Sequence, residues 1–471
     1  MKQTALRRPV PAAVPGPPLR LDPDQAPIEV AELELGEDLR APELRRVGEP
    51  GPVPPGRVLA LARVGGRPVG LVQAEVGPGE DPALVLAEAA RSHLGQELRL
   101  AATALAAETA AEAHNGPTAP YAPLVTVVIA TRERPELLAR CLDSVAARRS
   151  PRLEVVVVDN DPVTDATAEL IRQRYPDLVR YVREPVRGLA AAHNRGLAEA
   201  LGEITAFTDD DVVIDQDWLR ALAAGFADSG GRAADPRIGC VTGLILPARL
   251  RTRTQVMLEA HGGFTKGFQR RAWRLDRPPP EEPLFPFTAG RFGSGANMAF
   301  RTQALRDLGG FDPATGTGTP AKGGDDLLSF FRAVVNGYHL VYQPQAVVWH
   351  HHRDRPEDLD NQAFGYGAGL GAYLTAAVAR EPGMLPALLR RLPGGVRYAL
   401  RSTGARAGAG TGAGTGADKA GQAEAGPAHA WPERLSRLQR RGLLYGPLGY
   451  LRSRRLVHGT PLPWEARRHG H

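Results

Sequence analysis

The sequence predicts an α/β fold built on a mixed, mostly parallel sheet, and three observations carry that prediction. Between residues 124 and 208, continuous apolar, β-branched runs alternate with amphipathic helical patterns. The links between them are short, so successive strands run the same way and carry helices on both faces. Two runs end in carboxylates, at Asp159-Asn160-Asp161 and Asp209-Asp210-Asp211. Ligands of such sheets bind there, beyond the carboxyl ends of the strands.

The elements follow in chain order. Residues 1–24 are proline-rich and expected to be disordered. Residues 25–113 read as a small α+β accessory module with no chemical motif. In it, Arg57–Val64 and Arg67–Val72 flank Gly65-Gly66 as a β-hairpin. Leu84, Leu86, Ala87, Ala90, Leu94, Leu98 and Leu100 give residues 82–113 a helical period. His114-Asn115-Gly116-Pro117 reads as a linker.

A domain over residues 120–380 comes next. Leu124–Ala130 is its first buried strand, and Pro135 opens a helix with Leu138, Cys141, Leu142 and Val145 on one stripe. Leu153–Val158 is the second strand, 164–175 a helix, Val179–Val182 a short third strand and 190–200 a helix. Ile204–Thr208 closes the series at the aspartates. Residues 381–402 read as a helical extension and 403–429, rich in Gly and Ala, as a flexible linker. Residues 430–471 form a basic tail in which 431–449 favours a short amphipathic helix.

At 471 residues and 43% hydrophobic, the chain is long enough for more than one folded unit and a sizeable core. No apolar run reaches the length of a transmembrane helix, and the first residues do not read as a signal peptide. Two cysteines exclude a disulfide framework. The expected location is the cytoplasm, with peripheral contact at the inner face of the membrane. That contact follows from charge: residues 381–471 hold 15 Lys and Arg against 5 Asp and Glu, a net of +10, which leaves −4 for the rest. A basic tail on a mildly acidic body suits anionic lipid, although an arginine-rich composition from a high-GC genome explains it as simply. No recognition motif accompanies the tail, so nucleic acid is not an expected partner.

Three consecutive carboxylates where a buried strand meets solvent suit a hard divalent cation, Mn2+ or Mg2+, of the kind shared with phosphate oxygens. Any of the three could hold it, and the plain carboxylate pattern does not choose among them. A solvated acidic turn is the plainer alternative. His350, His351 and His352 end an extended run, and alternate residues share a side, so His350 or His352 can join the cation. Asp325 and Asp326 precede Leu327, Leu328, Phe330, Phe331 and Val334, an amphipathic helix that either carboxylate can cap. The glycines between Gly309 and Gly324 suggest a mobile loop. Trp273, Phe285, Phe287 and Phe292 read as an acceptor-stacking wall or as core.

In this order the motifs resemble a family-2 glycosyltransferase of GT-A fold, over roughly residues 122–375. The resemblance rests on Val125–Pro135, Val158-Asp159-Asn160, Gly188–Gly196, Thr208–Asp211, Gly293–Arg301 and Gly323–Leu327. It departs from the family where His193 replaces a common Arg and where Asp325-Asp326 replaces Glu-Asp. The resemblance implies donor binding by Ala130, Thr131, Arg132, Glu133, Asp159, Gly188, His193, Asn194, Asp209 and Asp210. It also implies a metal held by Asp209, Asp211 and His350, and a base at Asp326 or Asp325. The implied reaction moves a sugar, with inversion, from a nucleotide-diphosphate sugar to a hydroxyl of a glycan, lipid-linked or small-molecule acceptor. Two other readings are a non-catalytic nucleotide-sugar or glycan binder and a nucleotidyltransferase. The second lacks a glycine-rich phosphate loop after the first strand, where Thr131–Pro135 stands.

Overall fold

The computed structural model describes residues 21–36, 38–115, 121–148, 150, 152–228, 233–391, 432–457 and 463–464. The expected linker at 403–429 and the first 20 residues lie outside them. Among the described residues no helix is long and apolar enough to cross a membrane. The chain divides into two compact units, one over Ile28–Pro117 and one over Leu21–Pro27 and Thr118–His471.

The first unit has strands β1 (Glu29–Leu35), β2 (Pro42–Arg46), β3 (Gly56–Val64) and β4 (Arg67–Val76), in the order β2-β1-β3-β4. β1 and β3 are parallel and the other pairs antiparallel. Gly65 and Gly66 both have positive φ, as a tight hairpin turn with two left-handed residues needs. The expected single helix over 82–113 is two helices, α1 (Pro82–His93) and α2 (Gly95–Asn115). Asp81 caps α1 by accepting from Ala83 N, and the break at Leu94-Gly95 lets Leu86, Ala90 and Leu98 all reach the sheet core. α2 extends through His114 and Asn115, so the linker expected there begins later.

The larger unit is the predicted α/β domain. Its elements are β5 (Val125–Thr131), α3 (Pro135–Ala146), β6 (Leu153–Asn160), α4 (Ala166–Arg174), β7 (Val179–Glu184), α5 (Leu189–Glu199) and β8 (Ile204–Asp209). Then come β9 (Val212–Ile214), α6 (Trp218–Gly225), β10 (Ile238–Pro247), α7 (Arg253–Gly262), β11 (Arg271–Trp273), β12 (Met298–Arg301) and α8 (Thr302–Asp307). α9 (Asp325–Val335), β13 (His339–His350), α10 (Pro356–Arg380) and a C-terminal helix (Glu433–Leu456) complete it. The strands lie in the order β11-β13-β10-β12-β8-β5-β6-β7, with β9 paired to β13. β7, β6, β5 and β8 are mutually parallel, while β12 runs against both its neighbours. Val127, Ile129, Val155, Val157 and Ala206 on one face pack against Leu138, Cys141, Leu142 and Val145 of α3.

Two ends of the unit differ from expectation. Residues 21–25 are ordered: Asp22 caps a single turn at Pro23–Gln25, and Asp24 pairs with Arg253 at 2.9 Å. The basic tail is a helix of 24 residues seated on α10. The two helices touch along glycines. A Cβ on Gly367 would lie 1.9 Å from Gln439 O, and one on Gly446 would lie 2.5 Å from Ala372 N. Backbones this close leave room only for hydrogen at the crossing.

Candidate active site

β5 and β8 run side by side, with Ala130 opposite Asp209, so the aspartate triplet begins at the sheet's carboxyl edge. β9 then folds antiparallel onto the end of β13, with Val212 opposite His350. That register brings His350 beside Asp211, and His351 N donates to Asp211 O at 2.9 Å. One ligand atom from each of Asp209, Asp211 and His350 falls within 4.8 Å of the others. Asp210 is spent elsewhere: it accepts from Thr131 Oγ1 at 2.8 Å and from Arg134 at 3.1 Å.

Burial dominates the electrostatics of this group. Burial, with the neighbouring aspartates adding to it, holds the Asp209 carboxyl well above the usual range. Burial likewise raises Asp211, against the pull of Arg134, and lifts Asp210 to about 6. Burial pushes His350 down to about 3, so its imidazole is neutral and free to act as a ligand. Among the described residues, Asp211 Oδ1 is buried with no hydrogen-bond donor. Two carboxylates and an imidazole fit Mn2+ or Mg2+.

The second cluster opens α9. Gly324, at φ 90°, turns the chain so that Asp325 and Asp326 occupy the first helical turn. Asp326 Oδ2 accepts from Gly295 N at 2.9 Å and Oδ1 from Leu327 N at 2.8 Å. Burial and the adjacent Asp325 raise its carboxyl to about 6. Asp325 is buried and faces His193 Nδ1 at 3.5 Å.

Several residues expected to bind a donor make contacts within the protein. Asn194 spends its amide on Phe311, donating to its carbonyl and accepting from its N–H, each at 2.8 Å. His193 is 1% exposed, wedged between Phe207 and Phe311, and faces Asp325. Glu133 accepts from Val163 N, Thr164 N and Thr164 Oγ1, which holds the loop after β6. Thr131 orients Asp210, and Arg132 pairs with Asp161 at 3.0 Å. Asp159 is buried with Oδ2 accepting from Tyr181 and Oδ1 without a donor among the described residues. Gly188 lies at φ 139° and donates to Asn160 Oδ1, and Ala130 lies beside Asp209 in the sheet.

Two further expectations change. Trp273, Phe285, Phe287 and Phe292 are buried, with Trp273 and Phe292 rings 4.9 Å apart, so they form core and not a stacking wall. The glycine loop is packed and tied down. Asp312 Oδ2 accepts from Arg380 at 2.8 Å and Tyr450 at 3.0 Å, and Ala321 N donates to Ser453. Arg134, Lys266 and Glu259 had no assigned role. Lys266 is lowered to about 8 by burial, against the pull of Asp326. Arg134 lies in the quoted first motif, whereas Lys266 and Glu259 come from a stretch with no motif.

Comparison with known proteins agrees with this geometry. Residues 126–309 match the family described as "Glycosyl transferase family 2". That match covers less than half of the chain and agrees with the family-2 resemblance that the motifs carry. It is 28% identical over 251 residues to the pre-mycofactocin glycosyltransferase of Mycobacterium tuberculosis, covering 53% of this chain and 47% of that protein. The succinoglycan biosynthesis protein ExoM of Rhizobium meliloti is 36% identical over 114 residues, 23% of this chain and 37% of ExoM. The chain thus spans about half or less of the length of these curated relatives. A mannosyltransferase from Pyrobaculum calidifontis, solved with GDP-Man and Mn2+, is similar at 24% identity and a TM-score of 0.41, over 74% of this chain and 94% of that one.

Proposed function

We propose that this protein is an inverting, metal-dependent glycosyltransferase that moves a sugar from a nucleotide-diphosphate sugar to a hydroxyl of a glycan, lipid-linked or small-molecule acceptor. The observation that carries the proposal is the pairing of two clusters at one sheet edge. One is a cation-shaped group, Asp209, Asp211 and His350, with a bare buried oxygen. The other is a carboxylate, Asp326, close enough to perturb Asp209. A bound divalent cation would neutralise charge on the departing diphosphate. Asp326 takes the proton of the acceptor hydroxyl as its oxygen bonds to the anomeric carbon and the bond to the diphosphate breaks. Each Asp326 oxygen already accepts one main-chain N–H and keeps a lone pair for that hydroxyl. One displacement without a covalent intermediate inverts the carbon. Lys266, beside Asp326, is placed to meet negative charge.

The test is a panel of nucleotide-sugars assayed for release of nucleoside diphosphate with Mn2+, Mg2+ or EDTA. Metal-dependent release from one donor, lost in Asp211→Asn, is the expected outcome. Release that survives EDTA and Asp211→Asn would sink the metal-dependent reading. If no donor reacts and calorimetry detects no metal-dependent diphosphate binding, the enzymatic reading falls in favour of a non-catalytic one.

We also propose that the C-terminal helix rests on an anionic membrane surface. Leu444, Leu448 and Leu451 form one exposed stripe, Leu444 at 82%, and Arg440, Arg441, Arg452 and Arg455 flank it. Salt-sensitive sedimentation with phosphatidylglycerol vesicles should be lost in the double variant Leu444→Glu, Leu448→Glu. Equal pelleting of variant and parent refutes it. Truncation at residue 403 is not a usable control, because the helix it removes packs on α10 and Asp312.

A further inference from the structure

His350 is one end of a chain of contacts that leads away from the cation site. Its Nδ1 lies 3.3 Å from His352 Nδ1, and His352 Nε2 lies 2.8 Å from Glu259 Oε2. Each nitrogen–nitrogen or nitrogen–oxygen contact needs one proton, and a neutral imidazole has only one to give. The carboxylate of Glu259 can only accept, and its contact is the shorter, so the His352 proton sits on Nε2. His352 Nδ1 is then an acceptor and takes the His350 Nδ1 proton. His350 Nε2 is left with a bare lone pair, 3.4 Å from Asp211 Oδ1. Two electron-rich atoms facing each other at that distance need a positive charge between them.

The chain has a structural basis. Glu259 stands on α7, whose start is locked by a capping box between Thr252 and Gln255. Gln255 also donates to the His352 carbonyl at 3.2 Å, and Phe264 packs its ring against both imidazoles. His352 is buried, so water does not compete for its nitrogens.

We infer that Glu259 and His352 are positioning residues that fix the tautomer of His350 and aim its Nε2 at the divalent cation. The inference rests on the reading of Asp211 and His350 as cation ligands, and the experiment separates the two. In the metal-free wild-type protein, nitrogen-15 NMR of labelled histidine should show His350 protonated at Nδ1 and bare at Nε2. In parallel, Mn2+ titration followed by EPR should show His352→Ala and Glu259→Gln each weakening binding by about 10- to 100-fold. His352→Asn places an oxygen where Nδ1 stood and should restore most of the affinity. A proton found on His350 Nε2, or His352→Ala binding Mn2+ within about twofold of wild type, overturns the relay. If His352→Ala does not fold, the wild-type tautomer alone decides. If wild-type protein binds no Mn2+, the cation reading fails while the tautomer still tests the relay.

Discussion

At Asp209–Asp211 the chain gathers carboxylates and leaves a buried oxygen bare, whereas at Asp326 it supplies each oxygen with a main-chain donor. The first arrangement is repulsive by itself. Burial raises all three aspartates, with neighbouring carboxylates adding to it at Asp209 and Asp210; Arg134 and Thr131 offset it at Asp210, and Arg134 and Arg353 at Asp211. The second is satisfied by itself, as a carboxylate at the start of a helix should be. In the proposed roles the difference has a reason: a cation would complete the first cluster, whereas a proton acceptor must hold its place before any ligand arrives.

That contrast can be broken by experiment. Asp211→Asn should lower transfer by about a thousandfold or more, yet leave Tm unchanged or higher, because it removes a repelling charge. A marked loss of Tm would show that the cluster is structural. Asp326→Asn should cost about 100- to 1,000-fold in kcat and also lower Tm, since an amide can satisfy only one of the two N–H groups. The base works only without its proton, and its raised value of about 6 moves the acid limb of kcat/KM up from the ordinary carboxylate range. The rate should fall about tenfold per pH unit below that point; a limb near pH 4 would remove Asp326 from the role. The smallest effect is expected far from both clusters. Gly446→Val should lower stability by about 1–3 kcal/mol through overlap with Gly371 and Ala372. Gly365→Ala on α10, with open space around it, should not destabilise. Equal melting curves for the two would show that the helix crossing carries no load.

Much of this was legible in the residues because strand and helix periods are local. β5 to β8 fall within a few residues of their expected limits, and the fold gathers Asp209, Asp211 and His350 into one group that could hold a cation. The choice between the histidines was not readable, since spacing shows only that the two share a side. The fold brings His350 to Asp211 through the pairing of Val212 with His350, while His352 meets Glu259, both contacts distant in sequence. The contacts of Asn194 and His193 were unreadable for the same reason: their partners, Phe311 and Asp325, lie more than 100 residues downstream. The C-terminal helix was expected over 431–449, but its full extent and its seat on α10 were not, because glycines that look like flexibility are here the means of close packing.

The bond between Tyr450 and Asp312 spans 138 residues of sequence. Ribosomes deliver residues in order, so the sheet, both aspartate clusters and the histidine strand all emerge before Tyr450 does. A nascent chain therefore has its sheet and both aspartate clusters in hand before Tyr450 and Ser453 arrive to tie down the loop that leads to Asp325.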